Sequence, residues 1–462
     1  PFDWLLLFIF SVTSSVNRAT RLPCINEDKT PMIHRIFRLT EHGTTPATEI
    51  LAGASTFLTM AFIIAVNPAI LSDAGMDFGA AFIATILATV IGTLIMGLYA
   101  GWPVAVAPGM GLNAYFAYAV ILGYGLSWQQ ALAAVFVSSL LFFIFSASKL
   151  RSYLILSIPG EMQIAITAGI GLFLGLIGLM SAGIMIDNPD TIVGLGALNK
   201  PELILSVIGL IMMAGLSARG VKGSILISIM ILSAVGWASG LAPFGGVFSA
   251  PPAAGALFAL DFSALATTAF LSVVFVMFFV DFSDTTGTLT AIAEPAGKRR
   301  DTGEIDGLNK AVMADTSASI FGSLLGTSTM TTYLESAAGL RDGGRTGLTA
   351  VTVAFLFLCC LFLEPLFASI PSFATAPALI FVASTFLGGL RGLDWSDIES
   401  GVPVFITILV MPLTFSIAAG IALGFLTHVG IKLIMGKCTQ ISGGVWIITL
   451  FGLIWMALQT YA

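Results

Sequence analysis

Charge is what this chain has least of. Asp, Glu, Lys and Arg make up 10% of its 462 residues, where a soluble chain carries about 25%. Histidine is nearly missing, with three residues, and the four cysteines (Cys24, Cys359, Cys360 and Cys438) fall in no metal-binding spacing. No clustered basic stretch points to nucleic acid, so none is expected as a partner. A GxxxxGK[ST] phosphate loop, a GxSxG elbow, an HExxH pair and a GxGD motif are all lacking. The glycine-rich RDGGRTGLTAV (341–351) is read instead as a tight cytoplasmic turn. No cofactor is expected, and the chain does not read as an enzyme.

Apolar residues fill the space that charge leaves. They make up 57% of the chain, more than a soluble interior of this length would hold. Long apolar runs occur near 47–71, 79–100, 103–121, 127–148, 153–183, 201–217, 221–243, 264–293, 309–326, 327–340, 347–369, 373–390, 400–416 and 417–436. A crossing needs about 20 mostly apolar residues, which allows roughly fourteen spans. A further run at 444–460 either crosses once more or lies on the surface. The predicted class is an all-α polytopic membrane protein. LLLFIFSV (5–12) is too short to span, and Met32 opens an amphipathic stretch. Residues 1–31 are therefore expected to be an extension outside the fold, and 32–46 a cytoplasmic amphipathic N-terminus.

The few cations are ordered. Counting the stretch before the first run as a gap, eighteen of the nineteen Lys and Arg residues fall in alternate gaps, and only Lys200 breaks the pattern. The basic gaps carry Arg35 and Arg38; Lys149 and Arg151; Arg219 and Lys222; Lys298 to Lys310; Arg341 and Arg345; Arg391; and Lys432 and Lys437. By the positive-inside bias these gaps face the cytoplasm, with the N-terminus inside. Seven runs in each half give the second half the opposite orientation. Ser-Ile-Pro near the start and Phe-Leu-Gly near the end recur in 156–179 and 368–393, as an inverted repeat would show.

Two runs are abnormal. VAVAPGMGLNAYFAYAV (104–120) and GTSTMTTYLESAAGL (326–340) open with Gly, Pro, Ser and Thr where a regular helix wants Leu and Ala. Each reads as an extended stretch followed by a half-helix, and such breaks at matching places in two halves point to a transport site. Asn67-Pro68 interrupts the first run and is expected to bend it.

The acids inside the runs are the functional candidates, because an ionised carboxylate in a bilayer is costly and usually marks a pathway. Asp281, Asp284 and Thr288 share one helical face. Asp281 reads equally as a structural tie between helices. Glu335 follows Ser328, Thr331 and Thr332, hydroxyls able to cap the half-helix; its plainer role is a capping box with Thr332. Asn113, in the first broken run, bonds either a ligand or the facing half-helix. Asp315 reads as a helix-packing residue.

Six blocks in order carry a family likeness: IFRLTEHGTTPATEILAGASTFLTMAFI, NPAIL, VAVAPGMGLNAYFAY, FVDFSDTTGTL, GTSTMTTYLESAAGLRDGGRTGLTAV and PLTFSIAAGIALGF. From about residue 32 to the last span the chain resembles the AzgA-like purine permeases of the nucleobase/cation symporter superfamily. The resemblance implies a seven-plus-seven inverted repeat with broken spans 3 and 10. It implies a core domain of spans 1–4 (47–148) and 8–11 (264–369), and a gate domain of spans 5–7 (149–243) and 12–14 (370–436). Residues 437–462 form a spanning or peripheral C-terminal segment. The family's span-8 carboxylate matches Asp284, its span-10 glutamate Glu335 and its span-3 asparagine Asn113. Thr288 stands where the uracil branch has histidine, which leaves Glu335 and Asp284 as the proton carriers.

The implied activity is import of a neutral purine, hypoxanthine/guanine or adenine, together with a proton, by core-against-gate motion in a bacterial inner membrane. Carboxylates accept from ring N–H groups and half-helix N–H groups donate to ring acceptors. Thr288 and Thr332 belong to this set, and Phe57, Tyr115 and Phe116 are the candidates to stack on the base. The lipid bilayer and the proton are the further partners, and the resemblance allows a homodimer. The rival readings are a carrier of uracil or an oxyanion and, from another class, an intramembrane aspartyl protease.

Overall fold

The computed structural model describes residues 32–148, 158–300 and 304–460. The expected extension (1–31) and the basic pair Lys149 and Arg151 lie outside the described residues. Among those described, nine helices are long and apolar enough to cross a membrane: Pro46–Asp73, Phe78–Ala100, Trp128–Ala147, Gly160–Ser181, Pro201–Ala218, Thr268–Ala293, Gly347–Ala368, Ser372–Gly392 and Ile417–Ile434. Met110–Gly123, Ser224–Ser239, Ile398–Leu413 and Gly443–Ala457 are shorter and equally apolar. The chain is a multi-pass membrane protein.

Local chemistry sets several of the helix starts. Thr45, Asp77 and Thr267 each accept a backbone N–H three residues on, and Ser127 with Gln130 forms a reciprocal capping box. Leu308–Leu325 is the polar exception among the long helices, because Asn309, Lys310, Asp315, Thr316, Ser317, Ser319 and Ser323 interrupt its apolar surface.

The first crossing breaks at Ala61–Phe62, between helices α1 (Pro46–Met60) and α2 (Ile63–Asp73). That is several residues before the Asn67-Pro68 pair expected to interrupt it. Pro68 sits inside α2, where it removes one backbone donor. Asn67 ties α2 to its surroundings, donating to Thr85 Oγ1 at 2.7 Å and to Thr327 Oγ1 at 3.1 Å.

The helices sort into two packing groups. In one, Leu308–Leu325 lies against Trp128–Ala147 and Phe78–Ile95, Thr268–Ala293 lies against Trp128–Ala147, and Gly347–Cys359 lies against α1 and Phe78–Ile95. In the other, Ser372–Phe386 lies against Gly160–Ser181 and Pro201–Ala218, and Ile398–Leu413 against Ile417–Ile434 and Gly160–Ser181. Contacts between the groups are sparse by comparison. The final helix, Gly443–Thr460, packs on Ile417–Ile434, and its Phe451 stacks on Phe275 of the other group at 3.8 Å. The polar stretch after Gly160–Ser181 forms an antiparallel ribbon of Met185–Asn188 with Ile192–Leu195.

Both abnormal runs are broken. In the first, strand β1 (Val106–Pro108) leads into helix α3 (Met110–Ala114), which continues as a wider helical coil over Tyr115–Gly123. In the second, β2 (Met330–Thr332) leads into a tight turn of helix, Leu334–Ser336, and then α4 (Ala337–Arg341). The two strands pair antiparallel, Val106 opposite Thr332, Ala107 opposite Thr331 and Pro108 opposite Met330. Gly109 N donates to Thr329 O at 2.9 Å and Tyr333 N to Ala105 O at 3.0 Å, which lengthens the ladder at both ends.

A two-stranded ribbon in an apolar surround has two open edges, and each bare group there is costly. Symmetry-like hydroxyls close them. Thr93 Oγ1, on the second crossing, accepts from Val106 N and donates to Val106 O, both at 3.0 Å. Ser319 Oγ, on Leu308–Leu325, accepts from Met330 N at 3.0 Å and donates to Met330 O at 2.9 Å. One device is used once in each half.

Candidate functional site

A cavity opens where the broken runs meet the second packing group. One wall comes from the first group: Gly109 to Leu112 at the start of α3, Val280, Ser283, Asp284 and Thr288 from Thr268–Ala293, and Thr331 to Glu335. The other wall comes from the second group: Ile166, Thr167 and Ile170 of Gly160–Ser181, and Val382, Thr385 and Phe386 of Ser372–Phe386. Four residues chosen from the sequence therefore converge here: Asp284, Thr288, Thr332 and Glu335.

The helical spacing of Thr268–Ala293 explains part of this. Val280, Ser283, Asp284 and Thr288 recur at three- and four-residue intervals and so occupy one stripe. Asp284 Oδ2 accepts from Thr331 Oγ1 at 2.7 Å, tying that helix to the β2 strand. The Glu335 carboxylate takes no hydrogen bond from another described residue. Ser283 Oγ is buried and without a partner. The first helical bond of α3 runs from Asn113 N to Gly109 O at 2.8 Å, so the N–H groups of Met110, Gly111 and Leu112 precede it on the cavity wall.

Hydroxyls do not cap the second half-helix as expected. Tyr333 is the residue before its first turn, and it makes no side-chain cap. The three hydroxyls are committed elsewhere: Thr331 to Asp284, Thr332 to Asp315 Oδ1 at 2.7 Å, and Ser328 to Asn113 Oδ1. The capping box of Thr332 with Glu335 is likewise not formed, which leaves the Glu335 carboxylate at the cavity.

Behind the wall lies a second layer of acids. Thr285 Oγ1 donates to Asp315 Oδ2 at 2.6 Å and stands 3.4 Å from Asp281 Oδ1. Asp315 therefore receives two hydroxyls, one from Thr268–Ala293 and one from β2, which ties three elements together. Asp281 is buried beside this knot and is not in the cavity lining. Among the described residues no group of three or more His, Cys, Asp or Glu could hold a metal ion.

Other residues singled out from sequence lie off the cavity. Asn113 is fully buried, bonded through Oδ1 to Ser328 of the facing run, with its Nδ2 unpaired. Phe57 packs edge-on against Phe357, with ring centroids 5.2 Å apart. Tyr115 and Phe116 are fully buried in the wide coil of the first run. The aromatic side chains that do line the cavity are Tyr333 and Phe386. Phe386 could have been sought in the Ser-Ile-Pro repeat, since it ends the helix that 368–393 predicts. Thr167 and Thr385 carried no sequence signal, being single threonines in apolar runs.

The cavity leads into a second, wider one. Leu334, Glu335, Val382 and Thr385 line both, and the wider one is also lined by Thr59, Lys222, Arg341 and Asp342. Measured to the centre of a water molecule, the two hold about 80 and about 590 Å³. At its mouth an ion pair crosses between the groups: Lys222, from the turn after Pro201–Ala218, bonds Asp342 and Ser55 Oγ, and Ser55 also donates to Asp342. Close approach continues at Gly111, where a Cβ would stand 2.3 Å from Ile170 Cγ2 across the boundary.

Residues 47–423 match the model of a family described as the Permease family. A Methanocaldococcus jannaschii protein described as a permease is 45% identical over 418 residues, covering 90% of this chain and 96% of that one. The adenine permease AdeP of Escherichia coli is 39% identical, covering 91% and 94%. The guanine/hypoxanthine permease PbuO of Bacillus subtilis is 40% identical, covering 88% and 96%. Among solved structures, the transmembrane domain of a cyanobacterial bicarbonate transporter, BicA, superposes with a TM-score of 0.62 at 17% identity, over 79% of this chain and 95% of that one. That last likeness is one of fold.

Proposed function

Because the chain belongs to the Permease family, we propose that it imports a purine nucleobase together with a proton. The premise makes it a transporter and not an enzyme, which disposes of the aspartyl protease alternative. The observation that carries the proposal is the position of Asp284 and Glu335. Both stand on one wall of a cavity built from the two broken runs, and the facing wall belongs to a different packing group.

The chemistry suits a flat, neutral base. Carboxylates accept ring N–H groups, and the N–H groups at the start of α3 donate to ring nitrogens or a carbonyl. Tyr333 and Phe386 offer the aromatic faces. A charged carboxylate is disfavoured away from water, so a proton taken up with the base relieves that cost. Glu335 is the proposed carrier, because nothing else holds its carboxylate and it lines both cavities. Asp284 is its partner in binding.

Transport then follows from relative motion. Residues 47–148 and 264–369 act as the core and 149–243 and 370–436 as the gate, and the core slides past the gate carrying the base. Lys222, Arg341 and Arg345 lie in gaps that the positive-inside bias assigns to the cytoplasm. The wide cavity beside Lys222 is then the inward exit, and the N-terminus is cytoplasmic in a bacterial inner membrane. Two copies pairing through their gates would hold that frame still.

The test is uptake of radiolabelled hypoxanthine into purine-transport-deficient cells across a pH range, with unlabelled adenine, guanine, uracil and sulfate as competitors. Competition by purines alone, with uptake rising as the outside is acidified, is the expected result. Competition by uracil or sulfate at equal strength would favour the rival carrier, and uptake indifferent to pH would remove the proton.

A further inference from the structure

We propose that Thr167 and Thr385, on the gate wall, read the exocyclic 6-amino group of the bound base, so that the carrier prefers 6-amino-purines to 6-oxo-purines or unsubstituted purine. The inference rests on the purine reading and assigns the substrate class within it.

A hydroxyl has one hydrogen to give and two lone pairs with which to accept. Thr167 Oγ1 donates to Gln163 O at 3.1 Å, and Thr385 Oγ1 donates to Val382 O at 2.7 Å. Both hydrogens are thus committed to the carbonyls of their own helices. What these side chains can offer the cavity is lone pairs. The core wall has the same bias. Thr331 and Thr332 donate to Asp284 and Asp315, Tyr333 Oη donates to Pro108 O, and Asp284 and Glu335 bring carboxylate oxygens. Among the described residues, no Lys, Arg, His, Asn, Gln or Trp lines this cavity. The side-chain donors left are Ser283 and Thr288, both on the core.

An oxo group turned toward the gate therefore meets lone pairs, or obliges a threonine to give up its helix bond. An amino group carries two hydrogens and meets an acceptor on each of two adjacent helices, while the carboxylates take the ring N–H on the opposite side. A hydrogen bond of this kind is worth about 1 kcal/mol, or about fivefold in affinity.

The experiment measures inhibition constants of adenine, hypoxanthine and unsubstituted purine against one tracer, in cells carrying wild type, the T167V/T385V double variant or the T167S/T385S double variant. Valine keeps the shape and removes the lone pairs, and serine keeps them. Wild type is expected to favour adenine over both other bases by about tenfold or more. The valine variant should lose most of that ratio and the serine variant should keep it. Where the valine pair is not recovered in the membrane, T385A alone, at a position open to the cavity, should lose about fivefold. A wild type that prefers hypoxanthine, or a valine variant that keeps the adenine ratio, overturns the proposal. A wild type inhibited by none of the three bases removes the purine reading itself, and this inference with it.

Discussion

Asp342→Asn tests whether the bridge at the mouth of the wide cavity holds the carrier in the conformation described. Lys222 belongs to the second packing group, and Ser55 and Asp342 to the first, so this ion pair exists only while the two groups stand in this relation. Its worth is modest. The Lys222 side chain is 45% exposed and that of Asp342 19%, and such partly solvated pairs contribute about 0.5–1 kcal/mol. Asparagine keeps the shape and removes the charge, so the balance between inward and outward access should shift by about two- to fivefold away from this state. The assay uses a cysteine at Leu334, which is half exposed and lines both cavities, in a background without native cysteines. A membrane-impermeant maleimide is applied to right-side-out and inside-out vesicles, and the ratio of the two labelling rates reports the balance. High salt should move wild type part of the way toward the variant, because the pair is screened. The charge swap K222D/D342K should bring the ratio back. An unchanged ratio in D342N, or a swap that restores nothing, would refute the latch.

Three further outcomes follow. Glu335→Gln should abolish concentrative uptake: one proton charge crossing 100 mV is worth about 2.3 kcal/mol, or about fiftyfold accumulation, and the variant should fall toward equal concentrations on both sides, as a time course of purine uptake with and without an uncoupler will show. Asp315→Ala leaves the hydroxyls of Thr285 and Thr332 without their acceptor, so thermal denaturation in detergent should show a loss of about 2–5 kcal/mol; adding Thr285→Val should recover part of it, and a fully additive double variant would contradict the knot. Hydrogen bonds from Ser400 and from the Glu399 N–H hold the exposed Asp397 carboxyl below its ordinary range. That stabilisation is present above the unfolded-state value and lost as pH falls through the folded one, so Asp397→Ala should lower the melting temperature at neutral pH and lose its effect on acidification.

Much of the fold can be read directly from residue order. Apolar length finds the helices, and Gly, Pro, Ser and Thr in 104–120 and 326–340 find the two breaks, because those residues are poor helix formers wherever they stand. The acids of the cavity are legible for a related reason: Asp284 and Glu335 cost too much in an apolar run to be there without purpose. What escapes is partner choice. Whether Thr332 caps a helix or bonds Asp315 depends on a carboxylate on another crossing, and nothing local to Thr332 reports it. The aromatic side chains failed in the same way. Tyr115 stands within a broken run and Phe57 beside the break at Ala61–Phe62, yet the cavity takes Phe386 from another crossing in the second half of the chain. Thr93 and Ser319 were invisible because a hydroxyl that mends a strand edge looks like any other hydroxyl in a helix.

The β1–β2 ribbon also bears on how such a chain is made. Val106 and Thr332 are partners, yet six of the fourteen apolar runs lie between them in sequence. While the ribosome is still delivering the second half, the first strand has no mate, and its bare amides must wait in water or under a chaperone and cannot face lipid. Assembly of the centre is thus a late event in biogenesis. Truncation anywhere before Met330 should leave a product that inserts and is then cleared by membrane quality control.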